Sequence, residues 1–269
     1  MIRTPPFEPL PAQASLHART SRQLALRVIQ SERGSGPLAF PNEAELCRQL
    51  GVSRTILRES MKVLADKGMV EMRPRTGTRA RPHSAWRLLD PDILAWQAEV
   101  NPDIAFLRDL CEVRLAIEPT AAGFAALRAT PAQVAGIESC VLKREALAAN
   151  ARLEEIIDLD LEFHGAVVAA SHNPLLEQLS ATVREPFRTA LLYTLRLPAN
   201  VTLGIEAHRN LFEAVRRRDP LGARQAAEQA VGLAMLAVEE AGRPERAAKR
   251  PAPRTASRTT PANPWKGKS

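Results

Sequence analysis

EAELCRQLGVSRTILRESMKVLADKG, residues 43–68, is the stretch that decides the fold of the N-terminal part of the chain. Its first eight residues are predicted to form a short helix, after which Gly51 supplies a turn. Ser53 is a residue type that caps helix N-termini, so we expect a second helix from there to about Lys67, ending at Gly68. A helix, a glycine turn and a second helix make a helix-turn-helix unit.

The segments on either side complete this unit. From Ser15 to Glu32 the apolar residues fit a helical period, which predicts another helix ahead of the unit. After it, MVEMR and GTRAR are short extended runs around PRTG, and this pattern favours a two-stranded β-wing. We therefore predict a winged helix-turn-helix domain over residues 15–82.

The rest of the chain is predicted to be helical. Residues 83–100 contain Pro91 and two tryptophans and are predicted to be a linker that packs rather than floats. Beyond Asn101 strand signals disappear. Helices are expected at about 101–128 (interrupted near Pro119), 131–150, 153–171, 174–197, 202–218 and 220–241. The predicted fold is thus mainly α, with an all-α helical-bundle domain over residues 101–242 behind the winged helix.

Charge is distributed unevenly along the 269 residues. Residues 1–85 hold 14 Lys and Arg against 7 Asp and Glu, residues 86–242 hold 15 against 22, and residues 243–269 hold 8 against 1. A basic first part joined to an acidic central part indicates a polyanionic partner, with nucleic acid as the leading candidate. Residues 1–14 are expected to be a flexible N-terminus, and the basic tail, which has almost nothing to bury, is expected to be disordered.

The sequence also bears on compartment and redox chemistry. It has no apolar run of about 18 residues, so no membrane span is expected, and we expect a soluble cytoplasmic protein. Cys47, Cys111 and Cys140 are scattered and form no C-x-x-C pair. Neither a disulfide framework nor a zinc finger is therefore indicated.

The second helix of the unit carries the residue types that read DNA. Ser53, Arg54 and Thr55 stand at its start, and Arg58 and Lys62 follow at successive turns. Short polar residues near the start of a recognition helix suit phosphates or base edges, and an arginine there can hold a guanine by two hydrogen bonds. A solvated basic helix in a protein–protein adaptor is the alternative interpretation.

The predicted wing adds a second basic surface. Arg73, Arg75 and Thr76 are placed to approach an adjacent groove of the duplex, and Gly77 allows the backbone to come close. Helix length, turn glycine, N-cap and wing all agree with a DNA-binding domain.

Residues 41–78, PNEAELCRQLGVSRTILRESMKVLADKGMVEMRPRTGT, resemble the winged helix of the GntR family of bacterial regulators. The usual family pattern is LP-x-E-x-ELA…LGVSR-x-x-VREAL-x-x-L-x-x-xGLV…G-x-G. Phe40 departs from it where leucine is usual, and Ala44 stands where an arginine that touches DNA is common. The residues that the resemblance assigns to DNA are Ser53, Arg54, Thr55, Arg58 and Gly77.

The remainder, over roughly residues 86–241, resembles the FadR-type subfamily with its helical FCD ligand-binding domain. The matching elements are EVRLAIEPTAAGFAA, DLEFH and EAHRNLFEAVRRRDPLGAR. WRLLDPDILAW and SHNPLLEQLS are similar to regulators of sugar-acid catabolism of the D-galactonate type. The resemblance implies a small carboxylate or sugar-acid effector.

A candidate metal site is formed by Asp160, His164 and His208. Asp160 and His164 lie four residues apart and share one helix face, which suits joint binding of a divalent ion. Spacing alone favours an Asp–His hydrogen bond beside an unrelated surface histidine over a metal site, and the family resemblance described above reverses that preference. The family resemblance favours the metal, with zinc, nickel and manganese all compatible with mixed oxygen and nitrogen ligands. Members of the subfamily often add a histidine on the last helix, where this chain has Ala230.

Effector contacts are expected beside the metal. Arg114 matches the family arginine that pairs with an effector carboxylate, and the alternative is an ion pair with Glu118, four residues on. Asn173 and Tyr193 are candidates to line the same pocket, although an asparagine before Pro174 also suits a helix cap.

The sequence thus predicts a homodimeric repressor that binds double-stranded operator DNA and releases it in response to an acid metabolite. Two other functions stay open at this point. One is a metal-dependent hydrolase that uses Asp160, His164 and His208, although no separate general base or nucleophile accompanies them. The other is an architectural DNA-binding protein that uses the basic tail.

Overall fold

A computed structural model describes residues 16–32, 38–73, 77–100, 103–147, 152–195 and 198–241. The expected flexible N-terminus and the expected disordered tail lie outside the described residues. The N-terminal part has three helices and a two-stranded antiparallel sheet. Their bounds are α1 Leu16–Glu32, α2 Glu43–Leu50, α3 Arg54–Asp66, β1 Val70–Arg73 and β2 Gly77–Ala80.

Caps and glycines fix the helix-turn-helix geometry. The Asn42 side chain accepts a hydrogen bond from the backbone N–H of Glu45 at 2.9 Å and caps α2. Gly51 ends α2 at φ 65°, in the left-handed region that favours glycine. Ser53 then caps α3 by accepting from the N–H of Ile56 at 3.3 Å. The predicted helix-turn-helix is therefore confirmed, with its turn at Gly51.

The predicted wing is also confirmed. Strands β1 and β2 pair with Val70 opposite Ala80 and Arg73 opposite Gly77. Gly68 precedes β1 at φ 78°, and a Cβ on it would lie 2.3 Å from the carbonyl oxygen of Ala85. Only glycine therefore allows the chain to pass so close at this point.

The segment predicted as a linker forms a helix. A 3₁₀ turn at His83–Ala85 leads into α4, Pro91–Glu99, which Asp90 caps by accepting from the N–H groups of Asp92 and Ile93. On one face of α4, Ile93 and Trp96 belong to the core of the winged helix, together with the preceding Trp86. Leu94 belongs to a core cluster of the following helices. Both tryptophans are buried, so this segment packs against both parts.

The second part of the chain is all-α, as predicted. Its helices are α5 Ile104–Arg128, α6 Pro131–Leu147, α7 Leu153–Ala169, α8 Pro174–Thr194, α9 Pro198–Arg216 and α10 Pro220–Ala241. The expected interruption near Pro119 is wrong, because α5 continues through that proline, which is buried. Helix α9 begins at Pro198, four residues before its predicted start.

Small side chains let two of these helices pack closely. Buried alanines of α5 face buried alanines of α10 in one core cluster with Phe163 and Val215. The alanine side chain is small, so the backbones of α5 and α10 can approach closely where these residues meet. The buried alanines are Ala122, Ala125 and Ala126 on α5 and Ala223, Ala226 and Ala227 on α10. None of the helices in the described ranges is long and apolar enough to cross a membrane.

Candidate functional site

A small cavity lies within the helical domain, with walls from all six helices α5 to α10. Its volume of about 50 Å³ is enough for a few water molecules. Five ionisable side chains border it, and all five are buried. They are Arg114, Arg144, Asp160, His164 and His208. Charge buried at this density is costly unless it is paired or binds a ligand, so this is the chemically distinctive part of the domain.

The three predicted metal ligands meet at this cavity. Asp160 and His164 lie one turn apart on α7, and His208 comes from α9. The Nε2 atoms of His164 and His208 are 3.1 Å apart. An oxygen of Asp160 lies 3.5 Å from Nε2 of His208, and its other oxygen lies 3.8 Å from Nε2 of His164. The separations fit one shared ion, since two ligands about 2.0–2.1 Å from a tetrahedral metal lie about 3.3 Å apart.

The surroundings of His164 also suit a metal ligand. Its Nδ1 lies 2.7 Å from Oε2 of Glu118, so the carboxylate accepts the Nδ1 proton and Nε2 is left with its lone pair toward the cavity. His208 stacks on Phe163 with ring centroids 4.2 Å apart, and its Nδ1 is buried without a hydrogen-bond partner among the described residues. Ala230 borders the cavity and offers no fourth ligand. A bound ion would thus keep open positions for water or effector oxygens.

Buried charge sets the protonation states at the site. Burial raises the pKa of Glu118, but the charge of Arg114 and the hydrogen bonds from His164 and Arg114 outweigh burial and lower the pKa to about 2. Burial likewise opposes ionisation of Asp160, and Arg144 outweighs it, so the pKa of Asp160 lies well below its usual range. Burial is the main cause that holds the pKa of His208 well below its usual value. Ionised carboxylates and a neutral imidazole are the forms that bind metal ions.

Arg114 borders the cavity but already has a partner. Its Nε and Nη2 donate to the two carboxylate oxygens of Glu118, the Nη2 bond being 3.1 Å long, and both side chains are buried. Its Cζ lies 3.7 Å from the ring centroid of Phe187. The ion pair weighed as an alternative at the sequence level is therefore the arrangement that the structure shows.

Arg144 is a site residue that the sequence reasoning missed. It lies on α6, its side chain is 2% exposed, and its Nη1 donates to Oδ1 of Asp160 at 2.5 Å. A signal for it exists in the sequence. Ile137, Cys140 and Val141 form the buried face of α6, and position 144 continues that face at helical spacing, so an arginine there must point inward.

The other two predicted effector contacts are Asn173 and Tyr193. Asn173 caps α8, and its side chain accepts from the N–H groups of Leu175 and Leu176 at 3.1 and 3.3 Å. It does not border the cavity, so the capping alternative is the one observed. Tyr193 lies on α8, but its side chain is outside the described residues.

The predicted DNA-contacting residues form an exposed face of α3. Arg54 and Thr55 are exposed in its first turn, next to the capping Ser53. Arg58 pairs with Glu43 at 3.2 Å, and Lys62 pairs with Glu59 at 2.7 Å, both at the surface where such pairs exchange easily for phosphates.

The wing borders the same face. A groove between α3 and the wing is lined by Arg58, Lys62, Arg73 and Gly77, among others. Gly77 has φ 84° and nothing within 4 Å of the place where a Cβ would stand. Arg75 and Thr76, the other predicted wing contacts, lie outside the described residues.

An exposed, basic helix α3 beside a wing, followed by an all-α domain with a polar cavity, is the architecture of a DNA-binding transcription regulator. Residues 38–79 match the family model for bacterial regulatory proteins of the gntR family, and residues 109–232 match the FCD domain. The galactonate operon transcriptional repressor of Escherichia coli (strain K12) is 37% identical over 189 residues, which are 70% of this chain and 82% of that protein.

One further relative agrees with this class, and one solved structure shares the fold. The "Uncharacterized HTH-type transcriptional regulator YieP" of Escherichia coli (strain K12) is 31% identical over 210 residues, covering 78% of this chain and 90% of that protein. The solved structure of Lar, which controls expression of the Listeria monocytogenes agr system, shares the fold with a TM-score of 0.57 at 15% identity, covering 82% of this chain and 96% of that one. The chain belongs to the GntR family, in the FadR-type subfamily with an FCD domain, and it is a transcription regulator and not an enzyme.

Proposed function

We propose that this regulator is a homodimeric repressor of a catabolic operon, controlled by a small carboxylate or sugar acid such as a galactonate-like aldonate. The effector binds in the cavity of the helical domain and lowers operator affinity. The observation that carries the proposal is the cavity itself, which brings together two arginines and three side chains of metal-binding types inside a domain of this family. The galactonate operon repressor, a relative over most of its length, supports the class of effector.

The cavity chemistry matches a hydroxy acid. Guanidinium groups bind carboxylates, and the hydroxyl oxygens of an aldonate are metal ligands and hydrogen-bond partners. A volume of about 50 Å³ is too small for a six-carbon acid, so binding must separate parts of the wall. A ligand changes a conformational equilibrium only if it prefers one state, and a cavity that must widen provides that preference.

Asp160, His164 and His208 would hold a divalent ion, with zinc first and nickel or manganese as alternatives. The bound ion would supply a concentrated positive charge for the effector oxygens. Glu118 orients His164 in that arrangement, and Arg144 competes with the ion for an oxygen of Asp160. Because both carboxylates are already paired with arginines, the domain has partners for its buried charges even without an ion, and we expect it to fold without metal.

A second copy of the chain is part of this proposal. Winged helix-turn-helix modules commonly engage two half-sites about one helical turn apart, which requires two recognition helices in fixed relation. The cytoplasm is where such a protein would meet its operator. Ser53, Arg54, Thr55, Arg58 and Lys62 are the contacts of α3, and Arg75 and Gly77 those of the wing.

Operator selection tests the DNA part of the proposal. The full-length protein is incubated with random duplex DNA, the bound fraction is amplified, and the enriched sequence is compared with a scrambled version at one fixed salt concentration. We expect an inverted-repeat site that binds at least about 10³-fold more tightly than the scrambled duplex. Equal affinity for both would contradict a sequence-specific regulator and favour an architectural role.

Metal content tests the ion site. We expect about one divalent ion per chain by mass spectrometry in the wild type, and none in the His164→Ala/His208→Ala double variant, because only one of the three ligands remains. His172→Asn is the matched control, since His172 is exposed and its φ of 51° is tolerated by asparagine. Metal retained at wild-type level by the double variant would place the ion elsewhere.

A further inference from the structure

The two arginines at the cavity, Arg114 and Arg144, differ in which of their N–H donors already have a hydrogen-bond partner. Arg114 uses its Nε and Nη2 edge on both oxygens of Glu118. One face of its guanidinium is covered by Phe187, whose ring centroid is 3.7 Å from Cζ. To hold another carboxylate by the same edge, Arg114 would have to abandon a buried carboxylate, which is costly.

The equivalent edge of Arg144 has an unpaired Nε among the described residues. It gives only Nη1 to Asp160, at 2.5 Å. Its Nε is buried and has no hydrogen-bond partner among the described residues. The whole side chain is 2% exposed and borders the cavity, so an unpaired donor of a buried cation lies at the cavity wall. An unsatisfied buried donor of this kind is unfavourable unless a ligand or water supplies the acceptor.

Gly204 on α9 keeps space beside that edge. Gly204 also borders the cavity, and a Cβ built on it would lie 2.8 Å from Nη2 of Arg144. Any other residue at this position would push the guanidinium aside. Nε and Nη2 together form the flat two-donor edge that matches the two oxygens of a carboxylate.

We propose that Arg144 binds the effector carboxylate through its Nε and Nη2 edge beside Gly204. Arg114 holds Glu118, which in turn orients His164. This inference rests on the proposed function, because it names the residue that gives the same cavity its preference for acids. It also explains why a glycine stands at position 204 in the middle of a helix, where glycine is otherwise unfavourable.

Two variants test the assignment in the full-length protein. Arg144→Lys keeps a positive charge for Asp160 but loses the two-donor edge. Gly204→Ala leaves Arg144 chemically intact and crowds its Nη2. Gly232→Ala is the matched control, since it is also a helical glycine but has nothing within 4 Å of the added methyl group and does not border the cavity.

The probes are D-galactonate and D-galactonamide, its neutral amide, titrated by calorimetry at a fixed metal concentration, with L-lactate as a second acid. We expect the wild type and Gly232→Ala to prefer galactonate to the amide. In Arg144→Lys and Gly204→Ala the galactonate Kd should rise about ten- to hundredfold, while the amide Kd stays within about twofold. A general loss of structure would weaken both probes and would also weaken operator binding.

The possible failures are distinguishable. If the wild type prefers galactonate and both variants keep that preference, Arg144 does not bind the carboxylate, and the proposed regulator stands. If both probes weaken equally in both variants, the assignment is also wrong, because the effect is not on the carboxylate. A wild type that binds neither galactonate nor L-lactate contradicts the acid effector itself and this inference with it.

Discussion

We expect Arg54 and Lys62 to make two different kinds of DNA contact because of their positions along helix α3. Arg54 stands in the first turn of α3, the end of a recognition helix that enters the major groove. Lys62 lies eight residues further along, about 12 Å along the axis, where the helix leaves the groove near the phosphates. Both side chains are exposed and therefore accessible to DNA.

Arg54→Ala should abolish discrimination between operator and random DNA and lower operator affinity by about 1–3 kcal/mol, the worth of one bidentate base contact. Lys62→Ala should weaken all sequences alike and reduce the salt dependence by about one phosphate contact. Binding isotherms on both duplexes at several salt concentrations separate the two. If both variants lost affinity equally on operator and random DNA, Arg54 would not read a base.

At the residue scale, the sequence predicted those residues whose roles depend on their near neighbours in the chain. Ser53 as a cap and Gly51 as a turn follow from short-range backbone chemistry, and the structure has both. Asp160 and His164 share a helix face by spacing, but only folding brings His208 to them across 44 residues. The prediction that His208 joins Asp160 and His164 came from the family resemblance. Arg144 belongs to no such motif, and its proposed role depends on Gly204, which is 60 residues away in the sequence.

At the element scale Lys67 joins the recognition helix to α4. It follows the last residue of α3, and its Nζ lies 2.7 Å from Oδ1 of Asp90 and 2.8 Å from Oδ2 of Asp92. Its side chain is 13% exposed. Burial lowers the pKa of Lys67, but the hydrogen bonds and charges of the two aspartates outweigh burial and raise it. The ion cluster therefore stabilises the folded form of this junction.

Lys67→Met should lower the free energy of unfolding by about 1–2 kcal/mol at pH 7. Because the folded-state pKa is raised, this stabilisation is present below the ordinary lysine pKa of about 10.4 and is lost as pH rises through the raised value. Urea denaturation at pH 7 and above pH 11 checks both statements. Lys62→Met, with an exposed pair, is the control and should change stability by less than about 0.5 kcal/mol. A pH-independent difference between wild type and Lys67→Met would contradict the ion-pair role.

Helix α4 shows where element prediction from sequence fails. Asp90 before Pro91 is a helix start signal, but the apolar residues of α4 point in two directions, because Trp96 packs on one part of the chain and Leu94 on the other. No single apolar face therefore marks the helix. The predicted interruption of α5 near Pro119 was wrong for a related reason. That prediction treats α5 as an isolated helix, whereas burial against neighbouring helices keeps α5 continuous.

At the scale of the whole molecule, α4 packs against both the winged-helix part and the helical domain. Phe187, which covers Arg114 in the cavity wall, lies in the same core cluster as Leu94. Ile93 and Trp96 on the same helix lie in the core that carries α3. Effector binding that widens the cavity would shift this packing and, through it, the recognition helices. The basic charge of the winged-helix part fits a DNA partner.

The most direct test of this coupling is operator affinity measured by fluorescence anisotropy with and without D-galactonate, at fixed salt and metal concentrations. We predict that galactonate raises the operator Kd at least about tenfold, since allosteric coupling free energies are typically about 1–3 kcal/mol, and leaves affinity for scrambled DNA unchanged. Binding of galactonate should be followed in parallel by calorimetry. An operator Kd that stays constant at galactonate concentrations that saturate the protein would contradict the proposed regulation.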